Sequence, residues 1–406
     1  MHKKLWNRDF ILLLQGGAVS MIGDLMYSVA IGYWVYQKTG SSGLMGVMSS
    51  ISMFVTMFLL PFCGSIVDKL NRKWVMVGID AMQGIIMLTV GVLAYINALN
   101  VPIVLIAALL AAFGSVFYSP AHSTLMLDII PRDDMVRGQS LVSGGSSLIN
   151  LVGTAFSGVM VAFLGVPLIV VINGISNLYS AVSEMFVRVP KTVQQGAPVT
   201  VRGVLQDARK AIATIFSNKF LRLFVPSALL LNLLSGGVFS LLLPFCLEKG
   251  FSVEMHGYLG SVFTVGNLLC VVLLGVVKMK PKARFWVMAI GFSAAVPLYI
   301  VAFLSKQFVP LCIFVFLGSM LNGAGNTVFN ACLMLALPEE NRSAILGFIQ
   351  SACTGGMALS AVLYGTLGDV FPLYLVFVVG GVLSLVPMLY LCFNPKTRDF
   401  VLNHCE

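Results

Sequence analysis

The chain has little charge. Only 10% of its 406 residues are Asp, Glu, Lys or Arg, where soluble domains carry about 25%. Hydrophobic residues make up 58% and the mean hydropathy is +0.95. Such a chain cannot hide its apolar surface in one aqueous core. It lacks a polar domain outside its apolar runs. It also lacks H-E-x-x-H, the phosphate-binding G-x-x-x-x-G-K and the nucleophile turn G-x-S-x-G. These absences argue against a membrane-embedded enzyme or receptor. No two of its eight Cys form a C-x-x-C pair, and most lie inside apolar runs. They read as small apolar helix residues. No cofactor and no metal is expected.

What is there is a series of long apolar runs, which makes helices the expected spanning element rather than a barrel. Breaks at charges, Pro and Gly give twelve spans between residues 10 and 393. The weakest break is Gly165 and Pro167, between the fifth and sixth. Met1 to Arg8 is basic, as in a signal peptide. The apolar run after it continues to about Tyr36, too long for a signal core, and is read as a retained first span. Of the 25 Lys and Arg, all but Lys38, Lys249 and Lys306 fall on the side of the N-terminus. The positive-inside rule then places both termini in the cytoplasm of a multi-pass cell-membrane protein. That placement also accounts for the formal charge of +9, so no nucleic-acid partner is expected.

The expected organisation is an N-terminal six-helix bundle over 1–189, a cytoplasmic linker over 190–219 and a C-terminal bundle with a short tail over 220–406. Val201, Val204, Leu205, Ala208, Ile212 and Phe216 recur at helical spacing in the linker, which predicts an amphipathic helix on the inner leaflet. The halves repeat weakly. Asn7, Gly46 and Trp74 match Asn218, Gly257 and Phe285 at an offset of 211 residues. The order of such matches along the chain predicts a duplicated unit.

Between the second and third spans lies Gly64-x-x-x-Asp68-Lys69-x-x-Arg72-Lys73. With twelve spans, both ends inside and two six-helix repeats, the chain resembles the major facilitator superfamily. Asn7-Arg8-Asp9-Phe10, Gly78-Ile79-Asp80, Ser119-Pro120-Ala121, and Pro131 with Arg137 are similar to its drug and metabolite exporters, the macrolide-efflux and enterobactin-exporter branch. The resemblance implies an all-α fold of two pseudo-symmetric six-helix bundles. It also implies alternating access and export of a small amphipathic molecule. In that scheme Gly64, Asp68, Arg72 and Lys73 form a gating motif. Asp68 would face the N-terminal end of the eleventh span and Arg72 would pair with Asp128. Otherwise the cations are topology anchors alone. At the same offset the second half has Met279 in place of the acid, which predicts a latch on one half only. Asp80, near the inner end of the third span, is read as bonded to this loop.

Asp24 is the sharpest single residue. It lies about 20 Å into the first span, where a charge costs at least about 2.5–3.5 kcal/mol. No intramembrane cation is available to it. Either it faces a watery cavity as a proton- or cation-coupling site, or it is a protonated acid bonded to a neighbouring helix. Gln15 and Tyr27 are candidate companions. His122, Asn232, Asn322 and Asn326 are further candidates for ion or substrate contact. The three amides Asn322, Asn326 and Asn330 fit a cavity face or helix–helix bonding equally. Ser143, Ser147, Asn150, Thr154 and Ser157 make a stripe that reads more as packing. Glu184 is expected to pair with Arg188 at i+4. Many proton-driven exporters carry a basic residue in the fourth helix, absent here, so either Asp24 works without it or coupling uses another ion or none. A metabolite, siderophore or lipid carrier without proton coupling is the other functional reading. Expected partners are a small-molecule substrate, the lipid bilayer, and protons or another cation; the chain is expected to be a monomer.

Overall fold

The computed structural model describes residues 5–67, 70–130, 134–188, 209, 213, 215–217, 221–276, 281–336, 342–395 and 397–398. Asp68, Lys69, the side chain of Asp128 and most of the predicted linker helix lie outside them. The described chain is helical throughout. α1 is Arg8–Thr39, α2 Ser42–Val67, α3 Arg72–Tyr95, α4 Val101–Ile129 and α5 Met135–Met185. α6 is Leu221–Ser235, α7 Gly237–Ser240, α8 Leu242–Glu248 and α9 Val253–Val276. α10 is Pro281–Leu304, α11 Phe308–Ala336, α12 Arg342–Gly368 and α13 Leu373–Phe393.

Among the described residues, eleven helices are long and apolar enough to cross a bilayer. One of them runs 45 residues, Leu141–Met185, or about 68 Å at 1.5 Å per residue. That is twice the hydrocarbon thickness, and the helix is broken to suit. Gly165 has φ 73° and ψ 161°, a conformation open to glycine and costly for other residues. Its two arms are the expected fifth and sixth spans, which makes twelve.

The helices form two compact units. Unit 1 takes Met1–Gly40 and Phe54–Val204, and unit 2 takes Ser41–Met53 and Leu205–Glu406. In unit 1 the second arm of α5 is the central post, packed by α1 on one side and α3 on the other. Small residues set those contacts. Gly16 and Gly23 of α1, two turns apart, face Ser180 and Asn173 with Ser176. Gly84 and Gly91 of α3, also two turns apart, face Gly174 and Val171. A Cβ at Gly84 would stand 3.0 Å from the Gly174 carbonyl, so the backbones nearly touch, as membrane helices do at small-residue seams.

The stretch Asn7 to Phe10 fixes one end of unit 1. Asn7 Oδ1 accepts the Phe10 N–H at 2.8 Å, an N-cap for α1, and its Nδ2 donates to the Ile129 carbonyl at 3.4 Å. Asp9 Oδ1 accepts the Arg188 N–H at 3.0 Å. Phe10 is fully buried with Leu13, Met76, Leu125 and Ile129. In this way the start of α1 joins the ends of α4 and α5.

Unit 2 has a core of Leu221, Phe224, Met288, Ala289, Ile345 and Leu391. Its first span is broken twice, at Gly236 and Leu241, into α6, α7 and α8. α12 mends the break with side chains. Ser360 Oγ accepts the Gly237 N–H at 2.7 Å, and the Tyr364 hydroxyl donates to the Leu234 carbonyl. Broken backbone at membrane depth persists only where other groups satisfy it.

Candidate functional site

In unit 1 the polar groups gather on one face of the second arm of α5. Asn173, Ser176, Asn177, Ser180, Ser183 and Glu184 follow at helical spacing and all are buried. Asn177 Nδ2 donates to Asp24 Oδ1 at 3.5 Å and to Asn173 Oδ1 at 3.0 Å. Asn173 also flanks the Asp24 carboxylate, and its Nδ2 is buried without a partner. Gly23 makes this approach possible, since a Cβ there would stand 2.6 Å from Asn173 Oδ1. The Asp24 side chain is itself exposed. No Lys or Arg among the described residues pairs with it. An open carboxylate facing two amides can take up a proton, or a cation that the amide oxygens help to hold.

Of the residues expected beside Asp24, Tyr27 lies within its electrostatic reach and its buried hydroxyl has no partner. Gln15 is exposed on α1, about 13 Å along the axis. His122 stacks on Tyr118 with ring centroids 5.8 Å apart. Tyr118 in turn donates to Glu184 Oε1 at 2.9 Å. Glu184 is 2% exposed and turns inward to this bond, away from the expected partner Arg188, which is exposed. Asp80 is 3% exposed and lies beside Ser180, Asp24 and Glu184. It faces the polar side of α5.

In the signature loop, Arg72 opens α3, and Gly64 lies in the last turn of α2. Lys73 Nζ donates to the Met185 carbonyl at 2.7 Å and lies 5.4 Å from the Trp74 ring. It caps the C-terminal end of α5, where a cation is favoured.

Asn232, Asn326 and the hydroxyls of the fifth-span stripe serve their own helices. Asn232 donates to the Ala228 carbonyl at 2.9 Å. Asn326 donates to the Asn322 carbonyl at 3.1 Å and to its side-chain oxygen. Ser147, Asn150, Thr154 and Ser157 each bond a carbonyl three or four residues back. Asn322 has a second role. With Ser235, Phe239, Phe263, Tyr299 and Phe377 it lines a cavity of about 140 Å³ inside unit 2. The wall is aromatic: Phe239 and Phe263 have centroids 5.1 Å apart, and Phe263 and Tyr299 5.7 Å.

Sequence reasoning missed Asn173, Asn177 and Ser180. The signal was present, since positions 173, 176, 177, 180 and 184 share one helical face. The stripe in the fifth span drew notice instead.

The chain is 23% identical over 217 residues to macrolide efflux protein A of Streptococcus pyogenes, covering 53% of each chain. It is 23% identical over 412 residues to the multidrug efflux pump Tap of Mycolicibacterium fortuitum, covering 96% of each. The crystal structure of the nucleoside transporter NupG superposes with a TM-score of 0.74 at 13% identity, over 95% of this chain and 99% of that one. The model of the Major Facilitator Superfamily matches residues 13–255 and 227–400. The chain belongs to that superfamily and is a multi-pass membrane transporter.

Proposed function

We propose that the protein exports a small amphipathic compound by alternating access, coupled to protons or another cation through Asp24, with both termini in the cytoplasm. The observation that carries this is the exposed Asp24 carboxylate in mid-span, held beside Asn177 and Asn173 with no basic partner among the described residues. Such a group is too costly to keep as packing alone. It is useful if its charge changes during the cycle. The efflux relatives support the direction, and the aromatic cavity of unit 2 suits the apolar part of a cargo. Its 140 Å³ is smaller than the roughly 300–1,000 Å³ of a complete ligand pocket, so it would hold one end of the molecule.

The test is transport by the full chain in proteoliposomes under an imposed pH gradient, with macrolides and cationic dyes as cargo. Gradient-driven flux that disappears in Asp24→Asn supports the reading. Equal flux in Asp24→Asn and wild type would sink it.

A further inference from the structure

Deeper in unit 1 than Asp24, three buried oxygens meet without hydrogen-bond partners. They are Asp80 Oδ2 of α3 and Ser180 Oγ and Glu184 Oε2 of α5. Asp80 is 3% exposed, Glu184 2% and Ser180 0%. Ser180 Oγ approaches Asp80 and the Tyr118 hydroxyl without closing a bond of ordinary geometry to either.

The groups that face the pair come from every neighbouring helix. α1 supplies Asp24, which lies within electrostatic reach of Asp80. α4 supplies Tyr118, which donates to Glu184 Oε1, and His122, stacked on Tyr118. α3 supplies Lys73, two turns before Asp80, but its ammonium is bound to the Met185 carbonyl at 2.7 Å. No Lys or Arg among the described residues pairs with Asp80 or Glu184.

Two buried carboxylates without a cation cannot both stay ionised. A proton or a metal must neutralise one. The donors are all oxygen, which a hard cation would accept. Among the described residues, however, no three acidic, His or Cys side chains stand close enough together to hold a metal. A proton needs only the two carboxyls. Tyr118 occupies Glu184 Oε1, which leaves Glu184 Oε2 and Asp80 Oδ2 for the proton, with Ser180 Oγ beside Asp80.

We propose that Asp80 and Glu184 form a buried carboxyl pair sharing one proton, a proton-binding site separate from Asp24, lying between Asp24 and the Met185 end of α5. Its part in coupling rests on the Asp24 reading. Its protonation does not, and the two are tested separately.

The test is infrared spectroscopy of the purified full chain in nanodiscs, following the carbonyl stretch of protonated carboxyl groups at neutral pH in H2O and D2O. The wild type is expected to show such a band. It should shift in Glu184→Gln and in Tyr118→Phe, survive in Asp24→Asn, and vanish when Asp80→Asn/Glu184→Gln is added to Asp24→Asn, a background in which Asp24 cannot contribute. Absence of the band in wild type would overturn the pair. So would its persistence in the double variant that also carries Asp24→Asn, or its loss in Asp24→Asn alone. Loss of the wild-type band on addition of calcium or magnesium would overturn it in favour of a metal site. If the double variant does not fold, the shifts in Glu184→Gln and Tyr118→Phe decide, and an unmoved band in both counts against the proposal. The readout needs no transport, so failure of Asp24 as the coupling site leaves it intact.

Discussion

The carboxylate of Asp369, one residue past α12, accepts the backbone N–H of Gly43 at 3.1 Å. Its other oxygen accepts the Ser41 hydroxyl at 2.8 Å, and Ser41 Oγ caps the Leu44 N–H at 3.1 Å. Asp369 therefore closes the N-terminus of α2 from a residue more than 300 positions away. The helices are close enough to exclude side chains. A Cβ at Gly43 would stand 2.6 Å from Asp369 Oδ2, and one at Gly365 would stand 2.7 Å from the Ser42 carbonyl. In the proposed topology this is the extracellular end of α2. An acid on a helix N-terminus contributes about 1 kcal/mol, and in the proposed alternating access α2 would leave it for an outward opening. Asp369→Ala should raise extracellular labelling of a cysteine placed in the transport pathway by roughly fivefold, the factor that about 1 kcal/mol supplies. Unchanged labelling would remove Asp369 from the gate.

Asn177 is the described residue that reaches Asp24 from another helix with a hydrogen bond. Asn177→Ala keeps the helix but removes that donor. It should lower gradient-driven flux on the order of tenfold, about 1.4 kcal/mol, with the amount of folded protein unchanged. Asn232→Ala, whose amide serves its own helix, should leave flux within about twofold, a few tenths of a kcal/mol. Both are read in the same proteoliposome assay.

The contrast between those two amides shows where the sequence was legible. Asp24 stood out because one charge in an apolar run is visible by itself. The twelve spans and the break at Gly165 were visible for the same reason, since hydropathy and φ preference are local. Asn177 looked no different from Asn232, because what separates them is the helix each one faces. That is decided by Gly16 and Gly23 on one side of α5 and Gly84 and Gly91 on the other, a seam no single span displays. Glu184 misled the local rule in the same way: an i+4 cation is the nearest partner in sequence, but Tyr118 is the nearer one in space. Asp369 had no signal at all, its partners lying at the other end of the chain.

Glu248 and Lys249 are adjacent and cap opposite helix ends. Glu248 accepts the Leu373 N–H at 2.9 Å, at the start of α13. Lys249 Nζ donates to the Phe303 and Ser305 carbonyls, each at 2.6 Å, at the end of α10, and lies 5.1 Å from the Phe245 ring. Each charge sits where the helix dipole favours it. In the proposed topology these bonds give a structural reason for a cation on the side of the membrane that otherwise has few. Lys249→Met keeps the stem and loses the caps. It should cost about 1.5–3 kcal/mol, the worth of a charged hydrogen bond, and lower the melting temperature in detergent. Lys306→Met on the same side should leave it unchanged.

Tyr299 stands at the centre of the aromatic wall in unit 2, 5.7 Å from Phe263 and 6.4 Å from Phe303 by ring centroids. It lines the same cavity as Asn322. If the apolar end of the cargo enters there, the ring supplies contact area and Asn322 a polar margin. Tyr299→Phe keeps the ring and should bind cargo as wild type does. Tyr299→Ala should weaken binding by about 0.5–1.5 kcal/mol beyond the lost area, several-fold or more in dissociation constant. Fluorescence titration of the purified protein with a dye cargo measures this, and a thermal melt checks that the cavity has not collapsed. An Ala variant that stays folded and binds with wild-type affinity would place the cargo elsewhere. The Asp24 variant separates the two roles: it should bind cargo with little change and fail to move it against a gradient, because its carboxylate lies in unit 1 and the aromatic cavity in unit 2.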